Sequence, residues 1–330
     1  MKKVTIYDVA KKANVSLATV SRVINDSSAV SLATRERVLK AIADLNFVPN
    51  AVAQGLAMNK STSIALIVPE ASFSSISTII NGVVDVAHIY NYNVVLYSTN
   101  AGEFEVDKIM NNIIKNRFNG VIILNSELTS NALDQLAKYG IPVTIVGTNI
   151  KGKLRSSVFV DYEKITYQVI KDYLKQGKDK IFFIDGDYNR FIVEEMLIGI
   201  KKAYKEINKE FNGHLIVEDS YEKSYSELKN HLANNQADLY LASRDSLAIS
   251  ALNAALDLEI KIPEELEIIG YNNTKYSLMS RPALSTINVP LYEMGAIAAR
   301  QITKMLNKQE IEIKNHEVKA NLIHRSSTKE

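Results

Sequence analysis

The stretch from Thr5 to Asn25, TIYDVAKKANVSLATVSRVIN, constrains the fold most, because its pattern predicts two short helices joined by a tight turn. Thr5 followed by Asp8 is typical of a capping box at a helix start. Asn14 tolerates the left-handed backbone conformation that ends a helix. Ser16 is of the residue type that caps the next helix. The sequence therefore predicts a helix-turn-helix unit at this end of the chain.

The second of these helices has one face suited to contact with DNA. Periodicity predicts that Val20, Val23 and Ile24 point inward. The outward face carries small, hydroxyl and arginine side chains: Leu17, Ala18, Ser21 and Arg22. Such a face is typical of a helix that lies in the major groove, and Arg22 can fork onto a guanine edge. An ordinary helical hairpin capping a larger domain is the alternative.

A third helix is predicted to open at Ser31 and to complete a three-helix unit. Its predicted buried stripe is Val38, Leu39, Ile42 and Leu45.

The charged residues of the chain are distributed unevenly, and the part that contains this three-helix unit is basic. Residues 1–60 hold nine Lys and Arg against four Asp and Glu, whereas the full chain has a net charge of only +2. This basic end is typical of a DNA-binding head, and its modest charge favours binding as a dimer.

Residues 48–60 form a linker with an unusual pattern. Pro49 is tolerated in the first turn of a helix, and Asn50 to Met58 is long enough for about two turns. A helix this short is marginal in water, so we expect it to fold only when bound. A plain flexible linker is the alternative, but Val52 and Leu56 at helical spacing favour the helix.

The stretch TIYDVAKKANVSLATVSRVIN, followed by VPNAVAQGLA, resembles the headpiece of the LacI/GalR family of bacterial transcription regulators. The resemblance implies a helix-turn-helix domain at residues 1–47 and a hinge helix at 48–60. It also implies that Leu56 acts as an apolar wedge that opens a base step in the minor groove. The predicted DNA-binding residues are Thr5, Ser16, Leu17, Ala18, Thr19, Ser21, Arg22, Asn25, Thr34, Asn50, Ala53, Gln54 and Leu56. For Thr5, Ser16 and Thr34, helix capping is a competing or simultaneous role.

Beyond Ser61 the pattern changes to apolar runs that alternate with helical stretches. The predicted strands are 63–69, 93–97, 121–124, 142–146, 158–160, 180–184, 215–217, 239–242 and 268–271. The predicted helices are 76–90, 106–118, 131–139, 163–176, 191–207, 225–234, 246–258 and 290–310. In the 76–90 helix we predict an apolar stripe of Ile79, Ile80, Val83, Val84 and Ala87. Apolar strands between helices predict parallel sheets covered on both faces.

Two such doubly wound sheets predict a hinged, two-lobed α/β body with a ligand cleft at the carboxyl ends of the strands. The body resembles the type I periplasmic-binding-protein fold. The resemblance implies crossings between the lobes near Asp161, Pro290 and Asn321. Residues 61–330 would be an effector-binding and dimerisation domain, with a first lobe of about 61–160 and 290–320 and a second of about 161–289 and 321–330.

The resemblance also identifies cleft positions. Where sugar-responsive members have an arginine and an aspartate on the sugar, this chain has Met196 and Asn272, and Arg244 replaces a usual asparagine. Losing a bidentate arginine and a carboxylate removes the strongest hydrogen bonds to a sugar. Phe73 and Asp161 remain at cleft positions, which leaves a weak small ligand open. A turn residue at a strand end is the alternative for Asp161.

A second candidate surface lies on the helix in PLYEMGAIAARQITKMLNKQE. Arg300 and Lys304 are four residues apart and therefore share one face, which suits a phosphoryl group. The segment resembles the catabolite control protein (CcpA) branch of the family, whose members bind HPr phosphorylated on a serine. The residues implied to meet it are Tyr292, Glu293, Arg300 and Lys304. An exposed Arg/Lys pair is more usually just a solvated face.

The chain also departs from that branch. Its hinge reads AQGLAMNK instead of ARGLASKK, and an arginine that grips HPr is replaced by Asn321. A divergent CcpA orthologue and a paralogue with a changed partner both remain open. A repressor of a sugar-utilisation operon, controlled by a small sugar or sugar phosphate, is the alternative function.

Other function classes have less support in the sequence. The chain has no cysteine, and its five histidines have no metal-ligand spacing or nucleophile motif, so we predict no enzyme, metal or cofactor. The first residues lack the apolar core of an export signal, and no apolar run has spanning length. We therefore expect a bacterial cytoplasmic protein at the nucleoid rather than an exported solute-binding protein.

Overall fold

The computed structural model contains two compact units, Met1–Thr62 and Ser63–Glu330. The residues that it describes are 4–24, 29–48, 62–69, 74–99, 103–124, 130–186 and 190–329.

The first unit contains three helices: α1 (Ile6–Ala13), α2 (Leu17–Ile24) and α3 (Leu32–Asp44). The backbone N–H of Thr5 donates to the Asp8 carboxylate at 2.8 Å, as the predicted capping box requires. Asn14 ends α1 in the left-handed conformation, with φ 54°. Ser16 Oγ accepts from the Thr19 N–H at 3.2 Å at the start of α2. The helix-turn-helix prediction is therefore confirmed.

The buried stripe of α3 differs from the prediction at one position. Leu39 is 51% exposed, so its placement in the core was wrong. Val38 and Ala41 are buried instead, and Ile42 and Leu45 pack against them. These four positions follow the i, i+3, i+4, i+7 spacing of one helical face, whereas Leu39 lies next to that face.

The second unit alternates strands and helices. Its first part contains β1 (Ser63–Val68), α4 (Ser74–Ile89), β2 (Asn93–Ser98), α5 (Glu103–Lys115), β3 (Gly120–Leu124), α6 (Ser130–Lys138), β4 (Val143–Val146) and β5 (Arg155–Phe159). Its second part contains α7 (Tyr162–Lys175), β6 (Ile181–Asp185), α8 (Arg190–Glu206), β7 (His214–Ile216), α9 (Tyr221–Asn234), β8 (Leu239–Ala242), α10 (Asp245–Asp257), β9 (Glu267–Tyr271), α11 (Lys275–Met279) and β10 (Ser285–Asn288). The chain ends with α12 (Leu291–Leu306), β11 (Asn315–Glu317) and β12 (Asn321–Ile323).

These strands form two six-stranded sheets. The first sheet has the order β11-β5-β4-β3-β1-β2 and is parallel throughout. The second has the order β12-β10-β9-β8-β6-β7, in which only the pairing of β12 with β10 is antiparallel. We call the first sheet with its helices, including α12, the first lobe, and the second sheet with its helices the second lobe. The predicted α/β body with two parallel-rich sheets is confirmed.

Helices α4 and α12 lie unusually close together on the first lobe. A Cβ added at Gly82 would lie 2.1 Å from the carbonyl oxygen of Tyr292, and one added at Gly295 would lie 2.1 Å from that of Ile79. Only glycine permits this approach of two backbones. The contact turns the Gly82 side of α4 inward, so Val84 is 42% exposed and Val86 is buried. The prediction that Val84 belongs to the buried stripe was therefore wrong.

Candidate DNA-binding and effector sites

The outer face of α2 presents the residues predicted to read DNA. Leu17, Ala18 and Arg22 are exposed, while Val20 and Val23 are buried. Ser21 is half-buried rather than fully outward. A helix exposed in this way, with its core side fixed by α1 and α3, can enter a major groove without a change in its own packing.

The capping hydroxyls of the head are already engaged. Thr5 Oγ1 donates to the Asp8 carboxylate at 2.7 Å, and Ser16 Oγ lies 2.9 Å from Thr19 Oγ1. Ser31 Oγ donates to Thr34 Oγ1 at 3.0 Å. A hydroxyl both donates and accepts, so capping leaves capacity for a phosphate contact. The remaining predicted DNA contacts lie outside the described residues: Asn25, Asn50, Ala53, Gln54 and Leu56.

Tyr7 is an exposed aromatic side chain of the head that the sequence reasoning passed over. The sequence could have predicted that Tyr7 is exposed, because Val9 and Ala10 define the buried face of α1 and Tyr7 lies outside that face. Its phenol can donate to a phosphate oxygen.

A cavity of about 110 Å³ lies between the lobes at the carboxyl ends of the strands. Three predicted cleft positions, Met196, Arg244 and Asn272, line it. Asp161 does not belong to this lining; its carboxylate accepts from the Lys164 N–H at 2.8 Å and caps α7. The structure thus shows Asp161 as the N-cap of α7, and its contact with a cleft ligand stays a prediction. Phe73 lies outside the described residues.

Two described charged residues at the end of β8, Arg244 and Asp245, are held by protein partners. Arg244 forms an ion pair with Asp219, and its Nε donates to Ser246 Oγ at 3.0 Å. Asp245 is buried and accepts from the Thr274 N–H and Thr286 Oγ1, each at 2.6 Å. Burial raises the pKa of Asp245 to about 6 against the opposing effect of these hydrogen bonds. Asp245 therefore fixes the segment after β9 rather than a ligand.

Glu195, next to Met196 on α8, is a second carboxyl near the cleft with a raised pKa. Burial, together with the negative charges of Asp161 and Glu163, raises its pKa to about 6. The folded protein therefore disfavours the ionised form of Glu195. The protonated Glu195 carboxyl contributes to the free energy of unfolding at low pH, and this contribution is lost as the pH rises through about 6.

Replacing Glu195 by glutamine removes this ionisation, so Glu195→Gln is expected to melt at a higher temperature than the parent at about pH 8. The difference should shrink towards about pH 4, where the parent carboxyl is protonated in the fold. Thermal unfolding at both pH values checks this. Glu194→Gln, at the exposed neighbouring position, is the control. A Glu195→Gln difference that is equal at both pH values would contradict the prediction.

The outer surface of α12 carries the second candidate site. Tyr292 is exposed, and its hydroxyl donates to the Asp85 carboxylate of α4 at 2.9 Å. Glu293 and Arg300 are exposed and Lys304 is half-buried. Within the described part of the chain, neither Arg300 nor Lys304 forms a salt bridge, so both can meet an external anion. The departure at Asn321 lies elsewhere, on β12, where Asn321 Oδ1 accepts from Asn288.

The residues that the structure describes contain no group of three or more His, Cys, Asp and Glu arranged to hold a metal ion. None of the helices among them is both long and apolar enough to span a membrane.

Comparison with known proteins identifies the head and the body. The model of bacterial regulatory proteins of the lacI family matches residues 5–50, and the model of a periplasmic binding protein-like domain matches residues 170–328. Catabolite control protein A of Staphylococcus xylosus is 33% identical over 328 residues, which cover 99% of each chain. The chain belongs to the LacI family of bacterial transcriptional regulators. Catabolite control protein A of Staphylococcus aureus strain N315 is 32% identical over 331 residues, which cover 99% of each chain.

Solved structures of LacI-family proteins have the same fold. The lac repressor dimer bound to operator and an anti-inducer is 24% identical, covers 99% of both chains and has a TM-score of 0.88. The transcription regulator CcpA of Lactococcus lactis is 29% identical and has a TM-score of 0.71, and the match covers 82% of this chain and 100% of the CcpA chain. The departures noted above, in the hinge and at Asn321, therefore lie within a CcpA-like chain.

Proposed function

We propose that this LacI-family regulator acts in carbon catabolite control as a homodimer that binds a pseudo-palindromic operator. The observation that carries the proposal is the exposed face of α2, where Leu17, Ala18 and Arg22 stand clear of the head's core. Leu17 and Ala18 would contact base edges and methyl groups, and Arg22 would bind a guanine. The other predicted DNA contacts of the head would hold phosphates and set the register.

Exposed apolar side chains support the homodimer. Val95 and Leu96 are exposed on β2, the edge strand of the first sheet. On the second lobe, Leu278 is 60% exposed and Met279 is 68% exposed in α11. Large apolar side chains left exposed on two elements are consistent with surfaces that a second copy covers. Two basic heads brought together would also double the phosphate contacts available to either one.

We propose that serine-phosphorylated HPr is the corepressor and that it docks on the outer face of α12. Arg300 and Lys304 would bind the phosphoryl group, with Tyr292 and Glu293 at the edge of the contact. The close packing of α12 on α4 holds this face rigid, which lowers the conformational cost of binding. A small sugar or sugar phosphate in the interlobe cleft is the alternative effector, but Met196 and Asn272 leave such a ligand without its usual charged partners.

The proposed domain boundaries follow from this division of tasks. Residues 1–47 bind DNA, 48–60 form the hinge, and 61–330 bind the effector and the second copy. Effector binding would shift the angle between the lobes and so the population of paired hinge helices. The protein would act in the bacterial cytoplasm, with no catalytic activity and no cofactor.

Leu56→Ala is expected to reduce bending of the operator more than it reduces non-specific binding, because the proposed wedge is lost while the phosphate contacts remain. Fluorescence energy transfer between dyes at the two ends of the operator measures the bend. Met58→Ala, in the same linker, is the control and should leave the bend as it is. Unchanged curvature with Leu56→Ala would remove the wedge role.

Selection from a library of random duplexes tests the proposed function as a whole. The full-length protein should enrich an inverted repeat, because two heads related by a twofold axis read two equivalent half-sites. Enrichment of a single unrepeated site, or of no sequence at all, would contradict the proposal.

A further inference from the structure

The second lobe carries a groove between strand β7 and helix α9. The groove encloses about 490 Å³, and no described residue lines both it and the interlobe cavity. All of β7 lines one side of the groove. The other side is a stripe of polar side chains along α9: Glu227, Asn230, His231 and Asn234.

Strand β7 is the edge strand of the second sheet, and one side of its backbone faces away from that sheet. The N–H of Val217 donates to the carbonyl of Asp185 on β6, and the carbonyl of Gly213 accepts from β6, each at 2.8 Å. Backbone groups of a strand alternate between its two sides. The N–H and C=O groups of His214 and Ile216 therefore point to the open edge.

The sequence around β7 lacks the residues that usually block such an edge. Natural edge strands often carry lysine or proline, which discourage pairing with another chain. Residues 210–218, EFNGHLIVE, contain neither. The side chain of Ile216 is 63% exposed beside the open edge. The edge can therefore accept a further strand, and the three residues of β7 limit the pairing to a short segment.

The two faces of β7 differ in character. Leu215 packs against the same apolar cluster as Leu228 and Leu232 of α9, so its side chain lies on the face of the sheet that α9 covers. The side chains of His214 and Ile216 point to the opposite face. A strand added beside β7 would alternate in the same way, with one set of side chains over α9 and the other beside Ile216.

The groove side of α9 carries a carboxylate without a cation beside it. The two lysines of α9 are already paired, Lys223 with Glu218 at 2.5 Å and Lys229 with Asp257 at 3.4 Å. In the described part of the chain Glu227 forms no salt bridge, and its carboxylate accepts from the backbone N–H of Glu218 at 3.3 Å.

The histidine of this face does not offset that negative charge. Burial lowers the pKa of His231, whose Nδ1 lies 2.6 Å from the hydroxyl of Tyr240. Burial raises the pKa of Tyr240, so the phenol keeps its proton and donates it to Nδ1. His231 is then neutral at pH 7 and keeps an Nε2–H donor. The α9 side of the groove therefore favours a cationic side chain over an anionic one.

We propose that an extended segment of another protein, with alternating basic and apolar side chains, pairs with β7 as a further strand of the second sheet. Its basic side chains lie over α9 and reach Glu227, and its apolar side chains contact Ile216. Main-chain hydrogen bonds to His214 and Ile216 supply affinity, and the two faces supply specificity. This surface is distinct from α12 and gives the regulator a second protein partner.

A labelled peptide of sequence TKVKVT tests the proposal by fluorescence anisotropy with the full-length protein, without DNA. We expect saturable binding. Three peptides should bind at least about tenfold more weakly: the block isomer TKKVVT, the acidic analogue TEVEVT, and TKVKVT with N-methyl groups on its central backbone amides. Equal binding of the methylated or block peptide, tighter binding of TEVEVT, or no saturable binding would overturn the proposal. Since no DNA is present, such a failure is separate from a failure of operator binding.

Variants of the full-length protein check the location. Ile216→Lys puts a cation at the open edge and should weaken TKVKVT binding at least about tenfold, and Glu227→Lys should weaken it at least about fivefold. The matched controls are Ile198→Lys, at an exposed isoleucine of α8, and Glu222→Lys, at an exposed position of α9 outside the groove lining. At physiological salt both should change the affinity by less than about twofold.

Thermal unfolding and sedimentation equilibrium of the same variants complete the test. We expect Ile216→Lys and Glu227→Lys to unfold at the temperature of the parent and to keep its oligomeric state. Equal affinity of the groove and control variants for TKVKVT would overturn the proposal. So would a change of oligomeric state in Ile216→Lys, because the occupant of the edge would then be a second copy of this chain.

Discussion

Replacing Arg300 by glutamate is expected to abolish the enhancement of operator binding by serine-phosphorylated HPr. Arg300 is exposed, and the variant puts a carboxylate where the proposed contact has a guanidinium. A hydrogen bond to a charged group contributes about 1.5–3 kcal/mol. Its loss, together with repulsion of the phosphoryl group, should weaken HPr binding by at least roughly tenfold. Fluorescence anisotropy of a labelled operator, with and without phosphorylated HPr, measures the effect.

A charge reversal elsewhere separates this contact from general electrostatics. Lys201 is exposed on α8 of the second lobe, and Lys201→Glu should retain the full enhancement. Lys304→Glu should behave like Arg300→Glu because the two cations share one face of α12. If Arg300→Glu binds the operator as well as the parent in the presence of phosphorylated HPr, the docking site lies elsewhere.

The second large effect concerns the head. Arg22→Ala should weaken binding to the preferred operator by about 1–3 kcal/mol, which is the discrimination given by one good bidentate contact to a guanine. Binding to random duplex should change much less, because phosphate contacts supply most of that affinity. The operator variant substituted at the guanine that Arg22 reads should bind the parent and Arg22→Ala about equally.

Arg37→Ala is the matched control for Arg22→Ala. Arg37 is exposed on α3 and belongs to the same head, so the variant removes the same charge without touching α2. It should leave the ratio of operator to random-duplex affinity unchanged. A similar loss of discrimination in both variants would show that Arg22 acts through its charge alone.

Local patterns were enough to predict most of the architecture. The caps at Thr5 and Ser16 and the left-handed turn at Asn14 depend on neighbours within one helical turn, and the structure has all three. The central strands of both sheets are continuous apolar runs, so their positions also agreed with the pattern. The resemblance to the LacI/GalR family, carried by the first 57 residues, was confirmed along the full length of the chain.

What the sequence missed depends on contacts between distant segments. Strands β10, β11 and β12 and helix α11 are three to five residues long, and none has a run of more than two apolar residues, so no apolar pattern marks them. The buried stripe predicted for α4 included Val84 because a hydrophobic pattern does not register Gly82. Gly82 faces α12, whose residues are more than 200 positions away in the sequence. The pairing of Arg244 with Asp219 also joins separate segments, so it could not be predicted from a local pattern.

The most direct test compares the affinity of the purified full-length protein for the selected inverted repeat and for a shuffled duplex of the same composition. Both affinities are measured at one salt concentration, since phosphate contacts make them depend on salt. Each affinity is measured without an effector, with serine-phosphorylated HPr, and with a panel of sugars and sugar phosphates. We expect at least a roughly thousandfold preference for the inverted repeat, increased further by phosphorylated HPr. Equal affinity for the two duplexes under every one of these conditions would contradict the account.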